Sequence, residues 1–261
     1  MHHYFPLSEW LLAFPFIMAL VIYAGALFIS RKKGRNWPVY RTTIWIIGVF
    51  LCLISVSGPL AHLAHDDFRV HMIGHLFLGM LGPLLMAIGA PVKLVLRSLS
   101  VLHAKKLTRI LRSRPLGFLS NPAVTTTLNL GGLYVLYTTN LYSMMHESVF
   151  LYVFIHFHLF LAGYLFTVSL IYIDPIPHRK NFIYRSFILV TAIAIHGILS
   201  KYIYASPPDG VPKNEAEVGG MLMYYGGDAV DLIIIIILCY QWYRTATPKK
   251  TLDKKGIPVS G

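Results

Sequence analysis

His71 and His75 stand four residues apart in an apolar stretch of the chain. A helix places residues at this spacing on one face, so both imidazoles point the same way. Two imidazoles on one helical face can hold a metal ion between them. The alternative interpretation is an ordinary pair of histidines near a membrane surface. Ionisable side chains within an apolar helix are costly, and each is therefore a candidate functional residue.

Three other apolar stretches each carry a polar residue of the metal-binding type. At about 1.5 Å of rise per residue, these residues and His75 lie roughly 9–15 Å below the same end of the helices. Polar groups at this depth need partners, and ligation of one cation supplies them. The alternative is a structural network of hydrogen bonds between His and Asp. The pattern predicts one metal site, with His71 at its mouth and ligands from four helices: His75, His156, His196 and Asp228.

Weaker candidates for the same metal are His62, His65, His158, Asp231 and Met221. His156 and His158 are two residues apart and point to nearly opposite sides of a helix, so only one can face the common site. We prefer His156. His62 and His65, at the end of the second apolar stretch, form either an access site for the metal or a polar cap.

Copper is the metal that this set of residues favours. Imidazole suits copper, zinc and iron, whereas thioether selects Cu(I). Methionines accompany the histidines at the same end of the helices, although methionine is more often a packing residue than a ligand: Met72, Met144, Met145, Met221 and Met223. Two alternatives remain open, namely haem held between facing histidines and a metal-dependent membrane enzyme that activates water.

The composition places these residues in a membrane. Of the 261 residues, 56% are hydrophobic and 13% are charged, against about 25% charged residues in a soluble domain. This excludes an ordinary soluble enzyme and a disordered chain. The net charge of +12 does not indicate a nucleic-acid partner, because the charges lie in short gaps between apolar runs. The two cysteines form no CxxC pair, so a thiolate metal site is excluded.

A bilayer core about 30 Å thick is crossed by roughly 20 helical residues. We therefore predict an all-α, polytopic membrane protein, with residues 1–245 forming a single bundle of seven transmembrane helices. Their approximate spans are 11–29, 44–63, 70–96, 122–141, 149–173, 182–204 and 219–243. Pro83 is expected to kink the third span. The basic segment 98–114 is either an interfacial helix or a solvated loop, and residues 246–261 form a basic cytoplasmic tail.

The distribution of basic residues predicts the orientation of the bundle. All but three of the 23 Lys and Arg residues fall on one side of the predicted spans, and the exceptions are Arg69, Lys201 and Lys213. The positive-inside rule then places the N-terminus outside and the C-terminus in the cytoplasm. A seven-helix light sensor would need a Schiff-base lysine in the last helix, which this sequence does not have.

Four stretches of the sequence form a recognisable combination: His71 to His75 running on to Gly89, Asn121 with Pro122, His156 to His158 running on to Asp174, and Gly219 to Asp228 running on to Trp242. In this combination, which covers residues 58–245, the chain resembles the CtaG-type cytochrome c oxidase assembly factors of bacteria. The resemblance implies a multi-pass protein of the bacterial cell membrane that is needed for an active caa-type oxidase containing copper and haem.

Together, the residues and the resemblance predict an assembly factor rather than an enzyme. It would bind copper at the outer side of the membrane and hand it over or stabilise it while the oxidase matures. Its expected partners are cytochrome c oxidase subunits and membrane lipids, with no nucleic acid.

Overall fold

The computed structural model of the chain describes residues 5–246. Most of this range is helical and it contains no β-strand, which confirms the all-α class. The helices are α1 (Phe5–Lys32), α2 (Val39–Val56), α3 (Pro59–Asp66), α4 (Phe68–Leu76), a π-helical turn (Phe77–Leu81), α5 (Gly82–Ile88), α6 (Pro91–Ser98), α7 (Val101–Leu111), α8 (Arg114–Leu119), α9 (Pro122–Thr138), α10 (Leu141–Glu147), α11 (Val149–Leu170), α12 (Phe182–Ala205) and α13 (Lys213–Ala246).

Six helical segments in the described range are long and apolar enough to cross a membrane: Leu7–Lys32, Val39–Val56, Phe68–Ile88, Val149–Leu170, Phe182–Ala205 and Lys213–Ala246. The predicted fourth span, 122–141, corresponds to α9, which has 17 residues and is not among the six. A multi-pass membrane protein follows from these six helices. The seventh crossing and the orientation of the bundle stay predictions.

The predicted second span, 44–63, extends too far towards the C-terminus. α2 ends at Val56, and Gly58 adopts a φ of +79°, which interrupts the helix. Pro59 then opens a separate helix, α3, because its missing N–H costs nothing in a first turn. His62 and His65 therefore lie on a short helix of their own.

The predicted third span, 70–96, is also too long. Ala90 takes the left-handed conformation with a φ of 51°, and Pro91 starts the new helix α6. A π-helical turn precedes Pro83 within the span, where the Gly82 N–H donates to the carbonyl of Phe77, five residues back. The kink expected at Pro83 stays a prediction. Because Pro83 has no N–H, the Gly79 carbonyl has no α-helical donor, and the widened turn accommodates this.

The basic segment predicted at 98–114 is helical over most of its length. Each residue of α7 is exposed or partly exposed, and α7 leads into α8. Its contact with a lipid surface stays a prediction. Apart from residue 246, the predicted tail 246–261 lies outside the described residues.

The span formed by α4, the π-helical turn and α5 lies at the centre of the bundle. α2, α11 and α13 pack around it, and α9 packs between α11 and α12. At Gly163 on α11 the backbone of the π-helical turn comes so close that a Cβ would collide with the Gly79 carbonyl oxygen. This close approach brings the histidines of α4 towards those of α11.

Candidate functional site

Four of the predicted ligands are buried in the centre of the bundle. His71 and His75 lie on α4, His156 lies on α11 and His196 lies on α12, and each is at most 9% exposed. They line two small cavities joined by His75. We call the end of the bundle that carries α3, α10 and the start of α13 the outer end, following the predicted orientation.

The first cavity lies towards the outer end and has a volume of about 20 Å³. A space of roughly 10–15 Å³ already admits one water molecule, so this cavity can hold a water or a single ion. Its polar lining consists mostly of imidazoles: His65, His71, His75, His146 and His156, together with Tyr152 and Ser55.

Hydrogen bonds orient two of the imidazoles in this cavity, those of His71 and His156. The ring centroids of His71 and His156 are 6.4 Å apart. His71 Nε2 lies 3.1 Å from the hydroxyl oxygen of Tyr137. His156 Nδ1 donates to the Tyr152 carbonyl at 2.8 Å. A ring that donates from Nδ1 carries its lone pair on Nε2, which is the usual arrangement of a metal-binding histidine.

The second cavity, of about 10 Å³, lies deeper and is lined by His75, Asn129, His196 and Asp231. The rings of His75 and His196 are 6.5 Å apart between centroids. Both ring nitrogens of His75 and the Nε2 of His196 are buried without a hydrogen-bond partner. Buried polar atoms without partners are rare in proteins and call for an explanation, such as a bound ion or water.

Asp228 does not face either cavity, and the expectation that it would is wrong. It lies on the exposed face of α13, together with Met221, which is 43% exposed. Asp231, three residues later, is 5% exposed and lines the second cavity. The reason is the packing of α13 on α4 and α12, which buries the face carrying Gly227 and Asp231.

Two of the weaker candidates have other partners. His62 Nε2 lies 3.1 Å from a carboxylate oxygen of Glu9 on α1. The Nε2 of His158 donates to the Leu128 carbonyl at 3.1 Å, and its ring packs against Gly132 on α9. His62 and His158 therefore lie outside both cavities, whereas His65 lines the first one.

An acidic vestibule of about 310 Å³ lies above the first cavity at the outer end. Its lining includes Asp66, Glu147, Asp209 and Glu215 as well as the two histidines it shares with the first cavity, His65 and His146. The rings of these two histidines meet edge to face, with centroids 4.7 Å apart.

His146, on α10, lies at the base of this vestibule. Burial and the neighbouring His65 lower its pKa, against the opposing effect of Asp66. Its buried Nδ1 has no hydrogen-bond partner. A neutral imidazole is the form that binds metals, so a cation entering from the vestibule would meet a usable ligand before it reached His71.

The family model for the cytochrome c oxidase caa3 assembly factor, Caa3_CtaG, matches residues 21–245. The chain belongs to this family. The resemblance inferred from the residues is thereby confirmed, and the matched range includes every histidine of the two cavities.

Three mycobacterial proteins are related to this Caa3_CtaG family member. An uncharacterized protein of Mycobacterium leprae is 28% identical over 235 residues, which are 82% of this chain and 36% of that protein. Uncharacterized proteins of Mycobacterium bovis and Mycobacterium tuberculosis are each 32% identical over 188 residues, covering 69% of this chain and 28% of theirs. The chain thus spans about a third of the length of the curated relatives it matches. No solved structure matches it.

Within residues 5–246 of this Caa3_CtaG chain, no group of three or more His, Cys, Asp and Glu side chains is placed to hold a metal ion. The four buried histidines are not gathered around one point. The structure instead arranges the imidazoles in neighbouring pairs, His71 with His156 and His75 with His196.

The predictions from sequence missed several residues of the site. Tyr137 contacts His71, and Asn129 and Met80 line the second cavity. Asn129 could have been identified, because an amide near the middle of an apolar run is costly unless it has a partner. Tyr137 carries no such signal, since tyrosine is common near the ends of membrane helices.

Proposed function

We propose that this chain is a membrane assembly factor for a caa3-type cytochrome c oxidase, which binds copper at the buried histidines and hands it over or stabilises it during maturation. The observation that carries the proposal is His75, which lines both cavities and has two buried ring nitrogens without a partner. A metal ion ligated there would take the lone pair of one ring nitrogen that the protein leaves without a partner. The assembly role itself comes from the family.

The donor set fits copper. His75, His156 and His196 offer imidazole nitrogens, and the thioether of Met80 lines the second cavity. Imidazole with thioether is the combination that Cu(I) prefers over harder cations. The His156 ring, oriented by the Tyr152 carbonyl, has the supporting hydrogen bond typical of a metal ligand.

The size of the cavities favours copper over the two alternatives. Volumes of about 20 and 10 Å³ admit an ion or a water molecule. A haem macrocycle needs far more space than either cavity offers. A hydrolytic site would need space for a substrate beside the metal, and neither cavity offers it.

The vestibule provides a route by which a metal ion can enter and leave the first cavity. The carboxylates of Asp66, Glu147, Asp209 and Glu215 at its wall attract cations and raise their local concentration. From there the shared residues His65 and His146 lead to the first cavity, and His75 leads to the second. A chain of neighbouring ligand pairs suits a protein that accepts a metal and later releases it, and we propose oxidase subunits as the recipients.

The copper content of the purified protein tests this proposal. Full-length protein is loaded with Cu(I), passed through a desalting column and analysed for copper per chain, in parent, His75→Ala and His156→Ala forms. We expect each variant to lose most of the copper, because each removes a ligand of a neighbouring pair. His158→Ala is the matched control, since His158 lies on the same helix as His156 but outside both cavities. Thermal unfolding checks that all forms are folded.

Equal copper content in the parent, His75→Ala and His156→Ala would refute the copper site. The assembly role is tested separately by deleting the gene in a strain that has a caa3-type oxidase. We expect oxidase activity to fall while the oxidase subunits are still made. Normal activity in the deletion strain would contradict the role in assembly, whatever the copper result.

A further inference from the structure

A second group of charged residues lines a large pocket at the opposite end of the bundle from the histidines. The pocket has a volume of about 770 Å³ and lies between the start of α2, the α11–α12 loop and the last turns of α13. Five cationic side chains line it, and none of its described lining residues is acidic: Arg41, Arg179, Lys180, Arg185 and Arg244. The positive-inside rule places this end in the cytoplasm.

The burial of Arg185 distinguishes this pocket from a solvated basic surface. Its side chain is 6% exposed, although it is charged. Nη1 donates to the Leu170 carbonyl at 2.5 Å and to Gln241 Oε1 at 3.3 Å. Its buried Nε has no hydrogen-bond partner. A buried guanidinium without a carboxylate is costly, and an anion bound beside it would repay that cost.

Two cations converge on one aromatic ring in this pocket. The guanidinium carbons of Arg185 and Arg179 lie 4.1 Å and 5.5 Å from the ring centroid of Tyr172. Arg41, across the pocket, also has a buried Nη1 without a partner. Guanidinium groups with unused donors bind phosphate oxygens in pairs. The pocket is therefore suited to a phosphate group.

The remaining walls of the pocket are apolar. Ile88, Ile173 and Ile237 line it, and the stacked rings of Phe182 and Trp242, 5.0 Å apart, close one side. A free phosphate ion would leave this surface unused, whereas a phospholipid would place its headgroup on the arginines and its glycerol and upper acyl chains on the isoleucines. Basic pockets between membrane helices on the cytoplasmic side are known to take anionic lipid headgroups. We propose that this pocket binds the phosphate headgroup of an anionic phospholipid.

Lipid titration of the full-length protein tests this site. Delipidated protein in detergent is titrated with phosphatidylglycerol or phosphatidylcholine, and binding is followed by native mass spectrometry. We expect the parent to prefer phosphatidylglycerol. Arg179→Gln with Arg244→Gln should weaken that binding, by about fivefold for each charge removed. Both arginines are exposed, so the bundle should stay folded. Lys105→Gln with Arg109→Gln on α7 removes the same charge outside the pocket and should change binding less than twofold.

Arg185→Lys is the second variant, because it keeps the buried charge but loses the planar pair of donors. We expect it to lower affinity for phosphatidylglycerol without loss of thermal stability in detergent. Equal binding of the two lipids, or equal weakening by the α7 pair and the pocket pair, would overturn the proposal. Displacement of phosphatidylglycerol by millimolar inorganic phosphate would overturn it as well, since the ligand would then be a small anion.

Discussion

The imidazole rings of His75 on α4 and His196 on α12 lie almost parallel, with 18° between their planes and 6.5 Å between their centroids. Gly227 leaves room for the ring of His196, since a Cβ at that position would lie 2.5 Å from its Cε1. Asp231 lines the same cavity. Side chains from three helices, two imidazoles and a carboxylate, thus line one cavity of about 10 Å³. His75 also lines the first cavity, which is nearer the vestibule. A metal ion that moves from the first cavity to the second would therefore pass His75.

The close approach of α11 to the π-helical turn predicts a strong effect of one methyl group. Gly163→Ala would press a Cβ against the Gly79 carbonyl oxygen, a backbone atom that cannot rotate away. We expect this overpacking to lower the free energy of unfolding by about 1–3 kcal/mol. Gly131→Ala on α9 is the control, because no atom lies within 4 Å of its added methyl. Thermal unfolding in detergent gives the comparison, and similar transitions for the two variants would contradict the close packing.

The positions of six membrane helices along the chain could be predicted from the sequence to a large extent, because long apolar runs in a bilayer must be helical. The interruptions were harder to predict. A left-handed alanine at position 90 has no signal of its own, since that conformation disfavours a side chain. Pro83 indicates an interruption of the helix, but it does not indicate that the interruption takes the form of a π-helical turn.

The site was predictable as a set of residues but not in its geometry. Helical spacing showed that only one of His156 and His158 could face inward, and packing decides which. Asp228 and Asp231 lie only about 60° apart around α13, so the sequence pattern could not distinguish the buried carboxylate from the exposed one. The pairing of histidines across helices depends on contacts between distant parts of the chain.

Asp174, which follows α11, predicts a pH dependence of stability. It accepts hydrogen bonds from the N–H groups of Val92 and Lys93 at the start of α6. Burial nevertheless raises its pKa from 3.8 to about 6, because those hydrogen bonds and the nearby cations only partly offset desolvation. The folded protein then holds this proton more tightly than the unfolded chain. Its contribution to stability is complete below about pH 4 and is lost as the pH rises through about 6.

The loss amounts to up to about 3 kcal/mol, at roughly 1.4 kcal/mol per pKa unit. Asp174→Asn removes the titrating group and retains an oxygen that can accept from α6. We expect the stability difference between parent and variant to change between pH 4 and pH 6, as measured by unfolding in detergent. Other titrating groups are present in both proteins, so their contributions cancel in the difference. Parallel pH profiles would contradict the raised pKa.

The orientation of the bundle predicts which loops reagents can reach from outside the cell. A cysteine introduced at Asp209, between α12 and α13, should react with a membrane-impermeant thiol reagent in intact cells. One introduced at Arg112, after α7, should react only after the membrane is opened. The background carries Cys239→Ser, since Cys239 is exposed and Cys52 is buried. Labelling of the Arg112→Cys protein in intact cells would reverse the predicted topology.

A comparison of variants at the two aspartates of α13 tests whether the second cavity binds the metal. Asp231 lines the second cavity with His75 and His196, whereas Asp228 lies on the exposed face of the same helix. A carboxylate in a cavity lined by two imidazoles helps to neutralise a bound cation. We therefore expect Asp231→Asn to weaken copper binding, where a tenfold loss of affinity corresponds to about 1.4 kcal/mol. Asp228→Asn, the matched change one turn earlier, should leave copper affinity unchanged. Competition with a Cu(I) chelator measures both affinities. If Asp228→Asn released copper and Asp231→Asn retained it, the metal would lie outside the cavity that His75 and His196 enclose.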